Sequence, residues 1–192
     1  MLTHVAGRGA ALLAAITLAA VHAHAQAPLI RLEAASLSPE DPTNVTMAYG
    51  GTVGVSIAAR DALLVRFLLQ SQNRNSGADL GAAARHFYLL TWEHAFNDET
   101  GTHRQQYLLR TGLGAVERSP WRTAPAVSAG LAVRYGLGRH FGFVGAIEDV
   151  MAALPEDSLT ACDPVYGCSL LVSKRELQHN FGLAIAAELR LR

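Results

Sequence analysis

Lysine is all but missing from this chain. Lys174 is the only one, and although basic and acidic residues balance at 16 each, the arginines are scattered along the sequence. Without a basic stripe there is nothing to neutralise a row of phosphates, which argues against nucleic acid as a partner. Cysteine is equally scarce. Cys162 and Cys168 are the only pair, set among Asp163, Pro164 and Gly167, with no histidine close enough in sequence to complete a zinc set. In an oxidising compartment such a pair reads as a small loop disulfide, so no metal site and no cofactor is expected. Glycine loops of the dinucleotide type occur only as fragments, Gly112-Leu113-Gly114 and Gly136-Leu137-Gly138, and neither opens a helix after a strand. Long apolar runs are missing too. No segment reaches the roughly 20 residues of a membrane helix, so a membrane crossing has to be made by strands.

The N-terminus is the first positive signal. His4 and Arg8 precede an uncharged run from Ala10 to Val21, followed by Ala23-His24-Ala25. That order of charged, apolar and small residues is a secretory signal, expected to span residues 1–25 and to be removed after Ala25. Its apolar run is too short to anchor the chain in a membrane. Residues 26–192 then form a single domain.

That domain divides into stretches of period-two alternation, expected as strands at Leu29 to Ser36, Thr46 to Ala59, Ala62 to Gln72, Arg85 to Asn97, Gln105 to Glu117, Ala124 to Leu137, His140 to Met151 and Gln178 to Leu191. In the last of these Phe181, Leu183, Ile185, Ala187 and Leu189 alternate with Asn180, Gly182, Ala184, Ala186 and Glu188. Most stretches have the length of a tilted membrane strand. Arg60-Asp61 and Gly138-Arg139 read as tight turns at one end, whereas Leu37 to Val45, Asn73 to Ala84 and Ala152 to Leu177 read as long loops at the other. The expected fold is all-β, an eight-stranded antiparallel up-and-down transmembrane β-barrel.

Alternation alone also suits a soluble barrel with its apolar face inward, and the charges decide between the two. With the apolar parity outward, the other parity carries Arg31, Glu33, Arg66, Glu93, Arg110, Arg134, Glu148 and Glu188. Four arginines against four glutamates permit pairing, which a narrow interior demands. Glycines 50, 54, 112, 114, 130, 136, 142 and 182 share that parity and leave room for the long side chains. The lumen is therefore expected to be filled by a structural charge network. Aromatic residues gather on the outward parity: Phe96, Tyr107, Tyr135, Phe141 and Phe143 towards one end, and Tyr49, Tyr88 and Phe181 towards the other. His94, Glu117 and Asp149 are polar exceptions on that parity.

The leader ending Ala23-His24-Ala25, the segment GLAVRYGLGRHFGFVGAIED from Gly130 to Asp149 and the closing strand HNFGLAIAAELRLR from His179 to Arg192 resemble the small outer-membrane β-barrel proteins of Gram-negative bacteria. That group includes the N-terminal barrel of OmpA. The resemblance implies Sec-dependent export to the outer membrane. It also implies barrel-assembly machinery and periplasmic chaperones as partners during biogenesis, and outer-membrane lipids with lipopolysaccharide as surroundings. The group's final strand usually ends in an aromatic residue, whereas this one ends in Leu191-Arg192. The expected role is non-enzymatic, structural or surface-interacting through extracellular loops. The alternatives are a lipid- or lipopolysaccharide-modifying barrel enzyme and a narrow channel. For the enzyme, Ser71 at the end of the third strand and His86 at the start of the fourth are a nucleophile and a base that the topology could bring together at the outer rim, with no acid evident beside them.

Intact mass spectrometry of the protein purified from membranes is expected to give a chain beginning at Gln26. A mass that still includes residues 1–25 contradicts the leader assignment.

Overall fold

The computed structural model describes residues 28–39, 46–70, 85–98, 104–118, 123–154, 157–163, 167–173 and 176–191. The leader and Ser71 lie outside the described residues. Ten strands are assigned among them: β1 (Pro28–Pro39), β2 (Thr46–Ser56), β3 (Asp61–Gln70), β4 (Arg85–Ala95), β5 (Gln105–Arg118), β6 (Ala124–Gly136), β7 (Phe141–Leu154), β8 (Asp157–Asp163), β9 (Gly167–Ser173) and β10 (Glu176–Arg190). Eight of them close into a barrel in the order β1-β10-β7-β6-β5-β4-β3-β2, and β8 and β9 pair only with each other. Every neighbouring pair is antiparallel, and β10 closes the ring against β1 with Arg31 opposite Glu188 and Ala35 opposite Ala184. Closure leaves the barrel no free sheet edge, the condition for a β-structure to cross a bilayer.

Period two governs both faces. In β6 alternate residues from Ala124 to Gly136 face in, and Val127, Leu131, Val133 and Tyr135 face out. In β3 Leu64, Arg66, Leu68 and Gln70 are buried, and Leu63, Phe67 and Leu69 are exposed. The outer wall is thus mainly apolar: Leu32, Leu113, Leu131, Ile185 and Phe141 each expose more than half of their surface. A band this large has no place in water.

The interior differs from the expectation in what fills it. It holds large apolar side chains as well as small and charged ones. Leu37, Leu68, Phe87 and Val150 are wholly buried towards the loop end and pack with Leu89 and Val116 into one cluster. The barrel is narrow enough for this because strands approach closely at inward glycines. A Cβ built on Gly50 falls onto the backbone carbonyl of Phe67, and one built on Gly114 onto that of Tyr88. No other residue fits there.

The boundaries also shift from those expected. The connections Ile57–Arg60 and Leu137–His140 are four residues long rather than two, and the first is closed by Ile57 N–H donating to the Asp61 carbonyl at 2.9 Å. Asp61 therefore begins β3 instead of sitting in a turn. The expected loop from Ala152 to Leu177 instead continues β7 to Leu154, starts β10 at Glu176 and contains the β8–β9 hairpin. Asp163 and Gly167 are the last partners of that hairpin's register. Cys162 and Cys168 are direct partners in its register.

Gly114→Val is expected to lower the stability of the folded barrel by about 1–3 kcal/mol, the usual cost of overpacking. Gly145→Val, at an outward position whose Cβ meets nothing within 4 Å, is expected to leave it unchanged. Urea-unfolding midpoints in detergent micelles check the contrast.

Candidate functional site

Residues from all eight barrel strands meet in the lower half of the lumen. Arg31 of β1 donates from Nη1 and Nη2 to the two carboxylate oxygens of Glu93 on β4, at 2.6 and 2.7 Å, and from Nε to Glu188 of β10 at 2.7 Å. Arg66 of β3 bridges Glu33 of β1 and Glu148 of β7, with Nε–Oε2 of 2.8 Å to the former and Nη1–Oε2 of 2.8 Å to the latter. Arg134 of β6 donates to Gln106 at 3.0 Å, Glu93 at 3.1 Å and Glu188 at 3.2 Å. From β2, Thr52 donates to Glu33 at 3.3 Å.

Arg110 of β5 joins the two halves of this network. Its Nε lies 3.0 Å from Glu93 and its Nη1 3.8 Å from Glu148. The shorter contact is an ion pair by distance that is not aligned as a hydrogen bond. The eight charged residues singled out from the sequence thus lie together, each at most 9% exposed. Each guanidinium but Arg110 meets its carboxylates as charge-assisted hydrogen bonds, the form in which burying charge is tolerated.

Two further arginines occupy the same face. Arg190 donates to Glu188 at 2.7 Å from the turn end, and Arg85 donates to Asn180 at 3.2 Å near the loop end. Among the described residues the lumen therefore holds six arginines against four glutamates, not equal numbers. Parity could have placed both, since Arg85 is in phase with Glu93 and Arg190 with Glu188. They stand at strand ends, where parity is a weak guide.

Layers stack on either side of the charges. Towards the loop end comes the apolar cluster of Leu68 and Phe87, and then a polar rim in which Gln70 donates to the Thr46 hydroxyl and Asn180 donates to the Val150 carbonyl at 3.0 Å. Towards the turn end a cavity of about 260 Å³ is lined by Leu29, Asp61, Gln106, Arg134 and Arg190. Its rim carries an exposed two-pronged pair, Arg60 to Asp98 at 2.8 and 2.7 Å. The Arg60 guanidinium holds the Asp98 carboxyl below the usual carboxylate range. Its small contribution is therefore complete above the ordinary aspartate value and is lost as pH falls through the lowered one.

No protein-family model matches the sequence, and no curated protein matches it. Solved structures do. Neisserial surface protein A (NspA) superposes with a TM-score of 0.58 at 9% identity, over 85% of this chain and 96% of that one. Ail of Yersinia pestis, in its complex with the heparin analogue sucrose octasulfate, gives 0.50 at 12% identity over 86% and 99%. A major outer membrane protein from Thermus thermophilus gives 0.50 at 10% identity over 84% and 99%. The fold is that of a small outer-membrane β-barrel. At these identities the likeness is one of architecture, and the function of a small outer-membrane barrel has to be read from its own surfaces.

The polar exceptions on the outer wall resolve into pairs. His94 Nδ1 lies 2.9 Å from Asp61, which also accepts from Trp92 Nε1 at 3.1 Å. His179 Nδ1 lies 2.7 Å from Asp149. His86 faces Glu117 in the β4–β5 register, with Nδ1 3.6 Å from Oε2, and the Tyr88 hydroxyl donates to the same carboxylate at 3.4 Å. The expectation that no acid stands beside His86 is thereby corrected. Glu117 escapes a reading of the sequence because it is 31 residues away and becomes a neighbour only through the register. Among the described residues no group of three or more His, Cys, Asp or Glu could hold a metal ion.

Glu93→Gln, which leaves three guanidiniums short of a partner, is expected to cost about 3–5 kcal/mol of stability. Arg110→Leu, removing the least well aligned member, is expected to cost less, and Arg60→Ala on the surface to give no measurable change. Urea-unfolding midpoints of the three variants rank them.

Proposed function

We propose that this chain is a non-enzymatic protein of the bacterial outer membrane whose lumen is closed to ions and whose working surface is the loop end. The observation that carries the reading is the single network of Arg31, Arg66, Arg110, Arg134, Glu33, Glu93, Glu148 and Glu188 across the barrel, topped by Leu37, Leu68, Phe87 and Val150. Charges paired with one another across the whole width of the barrel, Arg110 by distance alone, would give a hydrated ion no path. With the interior committed to stability, interaction falls to the elements beyond it, above all the β8–β9 hairpin that continues from β7 and β10.

Several features support the remaining parts of this reading. Export by the Sec route through residues 1–25, with chaperones and barrel-assembly machinery as transient partners, is the route that such a leader and such a fold would use. Lipopolysaccharide and the other outer-membrane lipids would surround the apolar wall. A Cys162–Cys168 disulfide would staple the hairpin. Opposed residues of antiparallel strands have Cα atoms about 4.5–5.5 Å apart, within the range that a disulfide spans. A two-stranded hairpin without further strands is marginal by itself and gains most from such a staple.

The second reading, a barrel enzyme acting on outer-leaflet lipid, has His86 opposite Glu117 in its favour, a base with a carboxylate to orient it. Acyl release from lipopolysaccharide that disappears in His86→Ala would establish it.

Planar-bilayer recording of the purified protein is expected to show no steady conductance steps. A stable ohmic current, altered in Arg110→Leu, contradicts the closed lumen and supports a narrow channel.

A further inference from the structure

The charges of the lumen do not cancel along its length. Towards the loop end Arg66 and Arg110 balance Glu33 and Glu148. Towards the turn end Arg31, Arg134 and Arg190 share two carboxylates, Glu188 and the Glu93 that also meets Arg110. Among the described residues the turn-end group is therefore one positive charge in excess.

The turn-end cavity of about 260 Å³ adjoins this group. Arg134 and Arg190 line it, and their side chains keep 11% and 15% of their surface exposed, against at most 1% for Arg31 and Arg66. The most exposed guanidiniums of the network are thus the two at the cavity. Arg134 spends three N–H donors on Glu188, Gln106 and Glu93, which leaves one on each terminal nitrogen. Arg60, which also lines the cavity, spends Nε and Nη2 on Asp98 and keeps Nη1 among the described residues. The carboxylates bordering the space are engaged already: Glu93 by three guanidiniums, Asp98 by both prongs of Arg60, and Asp61 by His94 and Trp92. The rest of the lining includes buried Leu29, Ala62, Ala95 and Leu108.

Excess positive charge in a recess with apolar walls attracts an anion, because the low-dielectric surroundings concentrate its field and burial makes an unmatched charge costly. Planar guanidiniums with N–H groups to spare suit an oxyanion, which accepts several hydrogen bonds at once. Each water of the liquid occupies about 30 Å³, so the cavity has room for one such anion and several waters. We infer that the turn-end cavity is a binding site for one small oxyanion of the phosphate class, held by Arg134 and Arg190 with Arg60 beside them. The inference stands on the lumen alone and is independent of which end of the barrel faces outward.

The test is isothermal titration calorimetry of the purified barrel with inorganic phosphate, in a phosphate-free detergent and with sodium chloride holding the ionic strength constant. Wild type is compared with Arg190→Gln, Arg190→Lys and Arg139→Gln, the last an exposed arginine of the Leu137–His140 connection that does not line the cavity. Wild type and Arg139→Gln are expected to bind one phosphate with equal affinity. Arg190→Gln is expected to bind about tenfold or more weakly, the effect of losing a hydrogen bond to a charged group, and Arg190→Lys to fall between. Arg190→Gln leaves four arginines against four glutamates in the network, so it is expected to fold, which gel mobility with and without boiling checks. Its urea-unfolding midpoint without phosphate is expected to be no lower than that of wild type, and added phosphate is expected to raise the midpoint of wild type alone. No phosphate uptake by folded wild type, equal affinity in Arg190→Gln, an equal loss in Arg139→Gln, or midpoints raised alike in wild type and Arg190→Gln would each overturn the inference.

Discussion

Charges taken out of water have to be paired before anything else in this barrel can be arranged. Eight strands enclose a space with room for side chains and little solvent, and four glutamates lie in it with six arginines among the described residues. A single unpaired member would cost several kcal/mol, a large part of a protein's net stability. The solution is sharing. Glu93 serves Arg31, Arg110 and Arg134, and Glu188 serves Arg31, Arg134 and Arg190. Glu93 thereby ties strands that are not neighbours in the sheet, such as β1 to β4, and the network braces the barrel across its diameter. Inward glycines follow from the same demand, because strands must come close and the arginines must lie flat across the lumen.

Committing the inside to charge commits the outside to hydrocarbon. Period two gives a strand only two faces, so a residue set that faces paired guanidiniums leaves its alternates facing outward, and here these are Leu, Ile, Val, Phe and Tyr. The histidines and carboxylates on the wall are paired across strands, as His94 is with Asp61 and His179 with Asp149. The energetic cost of such groups falls steeply towards the membrane interface, which fits their placement. Among the described residues, ionisable chemistry at the wall is therefore carried by these pairs.

Strand phase was legible in the sequence and register was not. The alternation of Phe181 to Leu189 with Asn180 to Glu188 settles which side chains share a face, and the eight lumenal charges follow from it. Which charge meets which depends on how far neighbouring strands are staggered. That offset is set by closure of the whole ring, so the Arg31–Glu93 contact, which spans strands not adjacent in the sheet, has no local signature. The same holds for His86 and Glu117. Leu68 and Phe87 mislead for another reason: hydrophobicity alone sends both to the lipid side, although their phase with Arg66 and Leu89 sends them in. The β8–β9 hairpin is hidden because Asp163-Pro164 and Gly167 look like loop composition, and its strands are too short for a membrane crossing.

The measurement that bears most directly on this inside-out arrangement is a cysteine scan of β10 from Phe181 to Glu188. Each position would be labelled in turn with a fluorophore and quenched by brominated lipid in reconstituted vesicles. Quenching is expected to alternate, strong at positions 181, 183, 185 and 187 and weak at 182, 184, 186 and 188. Alternation in the opposite phase, or none, would contradict a barrel with its charges inside and lipid outside.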